Sequence, residues 1–183
     1  VSESEKRKIP SIYLYSPLKE YIASCIKGER VNWINNRFIA ADPEKITNFL
    51  GPSSSNQDHS EPIIQATLYW CYFAKRFQEV SSKTSNLLAI NSSTLLANPS
   101  ITYQVGSHLN LKRRFNLFEK RNRYKLLNTY VKTDAYSFNA TDRKNLLKNV
   151  MDKNKEGIKY AESLAEKILN QGMINFKFEN EIF

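Results

Sequence analysis

The sequence predicts an all-α fold. It is expected to be a compact multi-helix domain with a central apolar helix at about 62–80, a basic helix at about 107–132 and a long C-terminal helix at about 141–171. Apolar residues recur at three- and four-residue spacing over much of the chain, the signature of buried helical faces. Helix-start signals stand at Ser16-Pro17 and Asp42-Pro43-Glu44, each a capping residue followed by proline at the first helical position. Glycine is scarce, with 5 among 183 residues. Folds that cradle phosphates or dinucleotides place glycines in tight turns, and Gly51 and Gly172 already fall where helices should end. The shortage argues against a nucleotide-binding α/β fold.

An apolar fraction of 41% with 22 aromatic residues is enough to bury a core. Length and composition fit a flexible N-terminal segment, residues 1–10, and a single helical domain over residues 11–183. The polar stretch Val1 to Lys8 reads as a frayed end. Because the sequence starts at Val1, a trimmed or excised domain is expected.

From Pro17 a helix should run to about Lys27, with Ser16 as its cap, Gly28 at its end and Leu18, Tyr21, Ile22, Cys25 and Ile26 on its buried face. Residues 31–40 fit a short helix and an extended segment equally. Residues 43–50 make a short helix packed through Ile46, Phe49 and Leu50, and the serine-rich run Pro52 to Glu61 reads as a surface loop. The helix from Pro62 is apolar over nearly its whole circumference, so others should wrap it, with Tyr69, Trp70, Tyr72 and Phe73 dominating the core.

Residues 84–97 read as one or two short helices closed by Asn98-Pro99, and Ile101 to Val105 as a brief extended piece. Ser107 is placed to cap the basic helix. Thr141 should cap the last helix, whose apolar seam comprises Leu147, Val150, Met151, Ile158, Ala161, Leu164, Ala165 and Ile168, with gaps at Asn154 and Gly157. That helix can pack on the basic helix as a hairpin or meet another chain as a coiled coil. The tail, residues 173–183, alternates Ile174, Phe176 and Phe178 with polar residues and reads as extended.

Net charge is +9, and its placement is the strongest functional signal. Residues 106–132 carry eight basic side chains and one acid, Glu119, whereas the rest of the chain is close to balanced. On a helix, Arg114, Arg121, Lys125 and Lys132 fall within about 40° of one another and form a stripe roughly 27 Å long. Such a stripe can meet several phosphates at once. Lys112, Arg113, Lys120 and Arg123 widen the field, and like charges at this density disfavour a helix that has no acidic partner. A plain solvated face is the competing reading. Lys112-Arg113-Arg114 followed by Lys120-Arg121 also resembles a bipartite nuclear import pattern.

No catalytic, metal or cofactor site is expected. His59 and His108 lack metal-ligand spacing, and the Asp58-His59-Ser60 run reads as solvated loop. Asp152, Glu156, Glu162 and Glu166 read as solubilising charges on the last helix. Cys25 and Cys71 lie in apolar stretches and are expected as reduced core thiols. No apolar run is long enough to span a membrane. The chain is therefore expected to be a non-catalytic interaction module of a larger intracellular assembly, with the nucleus as its compartment. Its partners would be proteins of that assembly, with nucleic acid or an acidic protein surface meeting the basic helix. The alternatives are a nucleic-acid-binding domain proper and an enzyme whose site no motif marks.

Overall fold

A computed structural model describes residues 9–27, 30–98, 100–111, 140–173, 176–178 and 181. Most of these are helical, with one small parallel sheet of two strands, so the all-α expectation holds in its coarse form. Expectations for Val1 to Lys8, Gly28, residues 112–132 and Ile174 lie outside the described residues. The chain gathers into two compact units. One comprises Val1–Ser16, Val80–Leu146 and Phe178–Phe183, and the other Pro17–Glu79 and Leu147–Lys177.

The first unit is organised by its sheet. β1 (Ser11–Tyr15) and β2 (Leu87–Asn91) run parallel, with Ser11 opposite Leu87 and Tyr15 opposite Asn91. Both are short runs rich in apolar, β-branched or aromatic residues, which suit a pleated, half-buried surface. Residues 84–97 had been expected as helix. A continuous apolar run such as Leu87 to Ile90 carries no periodicity to distinguish strand from helix, and its partner strand is remote in sequence. No local signal marks β1 itself, which ends directly before the helix-start signal Ser16-Pro17.

After β2, Asn91 caps a short helix, α6 (Ser92–Ala97), by accepting the Ser93 N–H at 2.9 Å. A second helix, α7, spans Ile101–His108, where the sequence predicts an extended piece over Ile101 to Val105. Ile101 and Val105 stand one helical turn apart, and both join the cluster formed by Ile90, Ile12, Leu88 and Leu95. This helix closes in a Schellman turn. Asn110 takes φ of 55°, its N–H donates to Ser107 O at 3.1 Å, and the Leu111 N–H donates to Gly106 O at 2.8 Å. Ser107 thus lies in the last turn of one helix and does not cap the next.

The second unit is helical. Its first helix, α1, spans Leu18–Ile26 and buries Leu18, Ile22, Ala23 and Cys25. Ser16 does not cap it: the cap position is Pro17, and Ser16 Oγ lies 3.0 Å from Ser92 Oγ in the first unit. The undecided stretch is a helix, α2 (Arg30–Ala40), burying Ile34 and Phe38. α3 (Pro43–Leu50) begins as expected, with Asp42 accepting the Lys45 N–H at 3.2 Å, and ends at Gly51, whose φ of 93° favours glycine. The serine-rich run is not a plain loop. Pro52–Ser55 forms a helical turn, α4, and buried Ser54 donates its hydroxyl to Gly51 O at 2.6 Å.

α5 spans Pro62–Ser81. Its buried side includes Ile64, Leu68, Trp70, Cys71, Ala74 and Phe77. The expectation that four consecutive-turn aromatics dominate the core is corrected. Trp70 alone of them is buried, Tyr69 and Tyr72 are half-buried, and Phe73 is 39% exposed.

The long C-terminal helix is two helices, α8 (Ala140–Lys153) and α9 (Lys155–Leu169), broken at Asn154. The Asn154 side-chain amide donates to Val150 O at 2.8 Å, a local bond that competes with the helical ladder. From α9, Ile158, Ala161, Leu164, Ala165 and Ile168 are buried, matching the expected seam. α9 packs against α1 and α4, with Lys19 and Glu162 paired at 2.9 Å. Its end is set by Asn170 in the left-handed region at φ of 53°, not by Gly172.

Candidate functional site

None of the eight basic residues expected to bind an acidic partner falls in the described residues. Arg114, Arg121, Lys125, Lys132, Lys112, Arg113, Lys120 and Arg123 all lie in the stretch 112–139. The structure therefore brings forward other surfaces.

The most organised of these lies on the second unit, where aromatic rings and cations alternate. On α5, Tyr69 and Phe73 are one turn apart with ring centroids 4.8 Å from each other, and Phe73 meets Tyr72 edge-on at 5.3 Å. Tyr72 in turn meets Phe49 of α3 at 5.2 Å. Two cations cover Phe49: Lys75 Nζ at 5.3 Å and the Arg76 guanidinium carbon at 5.7 Å from the ring centroid. Lys75 also donates to Phe49 O at 3.2 Å. On α2, one turn of helix sets the Arg37 guanidinium 3.9 Å above the centre of Trp33, which remains 41% exposed. Cation–ring pairs of this kind are attractive through the ring quadrupole. Among the described residues, neither Arg37 nor Arg76 is in an ion pair.

Burial pushes the Tyr21 hydroxyl well above the usual tyrosine range, and the neighbouring Cys25 thiol adds to the rise. Tyr21 Oη lies beside the Cys25 thiol without a hydrogen bond of normal geometry. Burial likewise pushes the Cys25 thiol up to about 11 and raises that of Cys71. Both cysteines are free and buried, as expected.

The other candidates are modest. A pocket of about 180 Å³ in the second unit is lined by residues including Asn56, Gln57, Tyr160, Ser163 and Lys167, with Tyr160 Oη donating to Gln57 Oε1 at 2.7 Å. Asp58, fully exposed, accepts both the Ser60 N–H at 2.9 Å and its hydroxyl at 2.7 Å, and these bonds hold its carboxyl below the usual range. This is a local turn, with His59 directed elsewhere: its Nε2 lies 3.0 Å from Ser54 O and its ring packs edge-on against Phe38. The half-buried His59 is therefore not the plain solvated residue expected.

In the first unit, His108 Nε2 reaches Asn86 O at 3.1 Å and Ser11 O at 3.3 Å, so this nitrogen carries the proton and joins the starts of both strands. Tyr15 Oη donates to Glu181 Oε2 at 2.9 Å, and Phe178 meets Tyr15 edge-on at 4.9 Å. Burial, with the Glu181 carboxylate second, pushes the Tyr15 hydroxyl upward. The sequence had marked the tail as extended packing but not its partner.

Among the described residues, no group of three or more His, Cys, Asp and Glu is placed to hold a metal ion. No described helix is long and apolar enough to cross a membrane. No protein-family model, curated protein or solved structure matches the chain.

Proposed function

We propose that this chain is a non-catalytic helical interaction module of a larger assembly inside the cell, docking an acidic partner through residues 112–132. One observation carries the reading: the excess positive charge is concentrated, with eight bases and one acid within residues 106–132. Charge concentrated in this way selects polyanionic partners and accelerates encounter with them. The clusters Lys112-Arg113-Arg114 and Lys120-Arg121 favour the nucleus as the compartment.

The test replaces Arg114, Arg121, Lys125 and Lys132 by glutamine. The variant should fold as the parent does and lose most of its binding to acidic partners. For a nucleic acid, each lost phosphate contact flattens the plot of log affinity against log salt by about 1, irrespective of base sequence. An acidic protein surface gives a shallower dependence on salt. Binding equal to the parent's at physiological salt would reduce the basic stretch to a solvated face.

A second reading, a nucleic-acid-binding domain proper, is favoured by the Arg37 guanidinium laid on the exposed ring of Trp33 in the second unit.

A further inference from the structure

We infer that the aromatic–cation surface of the second unit binds single-stranded nucleic acid. The inference goes beyond the proposed role of residues 112–132 and stands on described residues alone.

The surface presents flat rings and cations as pairs. Arg37 sits 3.9 Å over Trp33, and Arg76 sits 5.7 Å over Phe49. Single strands offer the matching pair at each nucleotide, a phosphate and an unstacked base face. A phosphate drawn to either guanidinium therefore brings its own base to a neighbouring ring. Base–aromatic stacking with tracking cations is the general solution for binding single strands without sequence preference.

Three features favour this occupant over other polyanions. Trp33 and Phe73 are 41% and 39% exposed, and each nucleotide carries beside its phosphate a flat base that can cover such a residue, which a carboxylate side chain lacks. Arg37 and Arg76 are in no ion pair among the described residues, so no described carboxylate must be displaced. The rings of Tyr69, Phe73, Tyr72 and Phe49 follow one another at 4.8, 5.3 and 5.2 Å, tilted or edge-on to each other, giving a track of ring edges and faces instead of one isolated platform. Duplex DNA keeps its base faces stacked inside the helix and cannot use such a track.

The chain's own tryptophans supply the readout. Of the two, Trp33 is exposed and Trp70 is only 4% exposed, so a stacking base should quench Trp33 selectively. The probe is a dye-labelled fifteen-residue thymidine oligonucleotide titrated into the full chain at low salt. Tryptophan fluorescence reports stacking, and dye anisotropy reports binding. Saturable quenching is expected, lost in Trp33→Phe although anisotropy still reports binding. The Arg37→Gln/Arg76→Gln variant, folded by circular dichroism, should bind at least tenfold more weakly.

The glutamine variant of residues 112–132 separates the two proposals, because it should keep the quench at saturation even where its overall affinity falls. Binding without any change in Trp33 fluorescence would overturn the inference and leave the basic stretch as the contact. So would quenching by polyglutamate or by duplex DNA as strong as that by the single strand. Absence of binding by the parent chain at low salt would overturn it as well.

Discussion

Truncating Trp70 and Phe73 to alanine should have very different effects, although the two residues lie within one turn of α5. Trp70 is 4% exposed and meets Phe176 edge-on, with ring centroids 5.1 Å apart. A buried aromatic removes roughly 150–250 Å² from water. At about 25 cal/mol per Å² that corresponds to about 4–6 kcal/mol, close to the 3–5 kcal/mol usual for deleting a core aromatic. Phe73 is 39% exposed, and its ring contacts are Tyr69 and Tyr72 on its own helix. Its removal opens a site that water can fill, so no closed cavity remains and a loss of about 1–2 kcal/mol is expected. Urea unfolding followed by far-ultraviolet circular dichroism measures both, with the slope checked for constancy so that midpoint shifts can be converted into stability. Equal losses for the two variants, or less than about 2 kcal/mol for Trp70→Ala, would refute this assignment of the inner and outer faces of α5.

Four further outcomes follow from the packing. Both cysteines should react slowly with a thiol reagent at pH 8 in the native state and rapidly once denatured, because burial shields them and pushes Cys25 up to about 11. Since folding raises that pKa from 9.0, the buried neutral thiol should stabilise fully below pH 9 and lose its contribution as pH rises through about 11; a Cys25→Ala chain should show a weaker alkaline loss in thermal melts. Gly157→Ala would place a methyl 2.7 Å from Ile63 Cδ1, the far end of a side chain that can turn aside, so it should stabilise by less than the ~1 kcal/mol that alanine gains over glycine in a helix, and by nearly that full amount in Ile63→Val, which lacks that atom, as a double-mutant cycle would show. His108→Ala removes the donor shared by Ser11 O and Asn86 O and should cost the first unit about 1–3 kcal/mol, read as faster amide exchange in β1 and β2.

What could be read beforehand were features written locally. Asp42-Pro43 set the start of α3, and Gly51 its end, because cap and positive-φ requirements are met by single residues. The seam of α9 was legible because its buried positions keep helical spacing. Features decided by distant partners were not. Leu87 to Ile90 became a strand because Ser11 to Tyr15 lies beside it, and no local pattern records that pairing. Asn154 stands at the break in the last helix with its side chain bonded to Val150 O, in a stretch whose apolar seam runs on either side.

The aromatic–cation surface left a trace that residue-by-residue counting of apolar positions conceals. α5 looks apolar all round when every aromatic ring is assigned to the core. A helical wheel centred on Arg76 places Tyr69, Tyr72 and Phe73 within about 60° of it. Arg76 must face water, so those three rings should flank a solvated guanidinium, while Cys71 and Ala74 turn inward. The structure has this division: Arg76 and Phe73 are exposed, and Cys71 and Ala74 are buried. One charged residue on a long apolar helix thus fixes its outward direction, and the aromatics beside it become candidates for contact with a ligand.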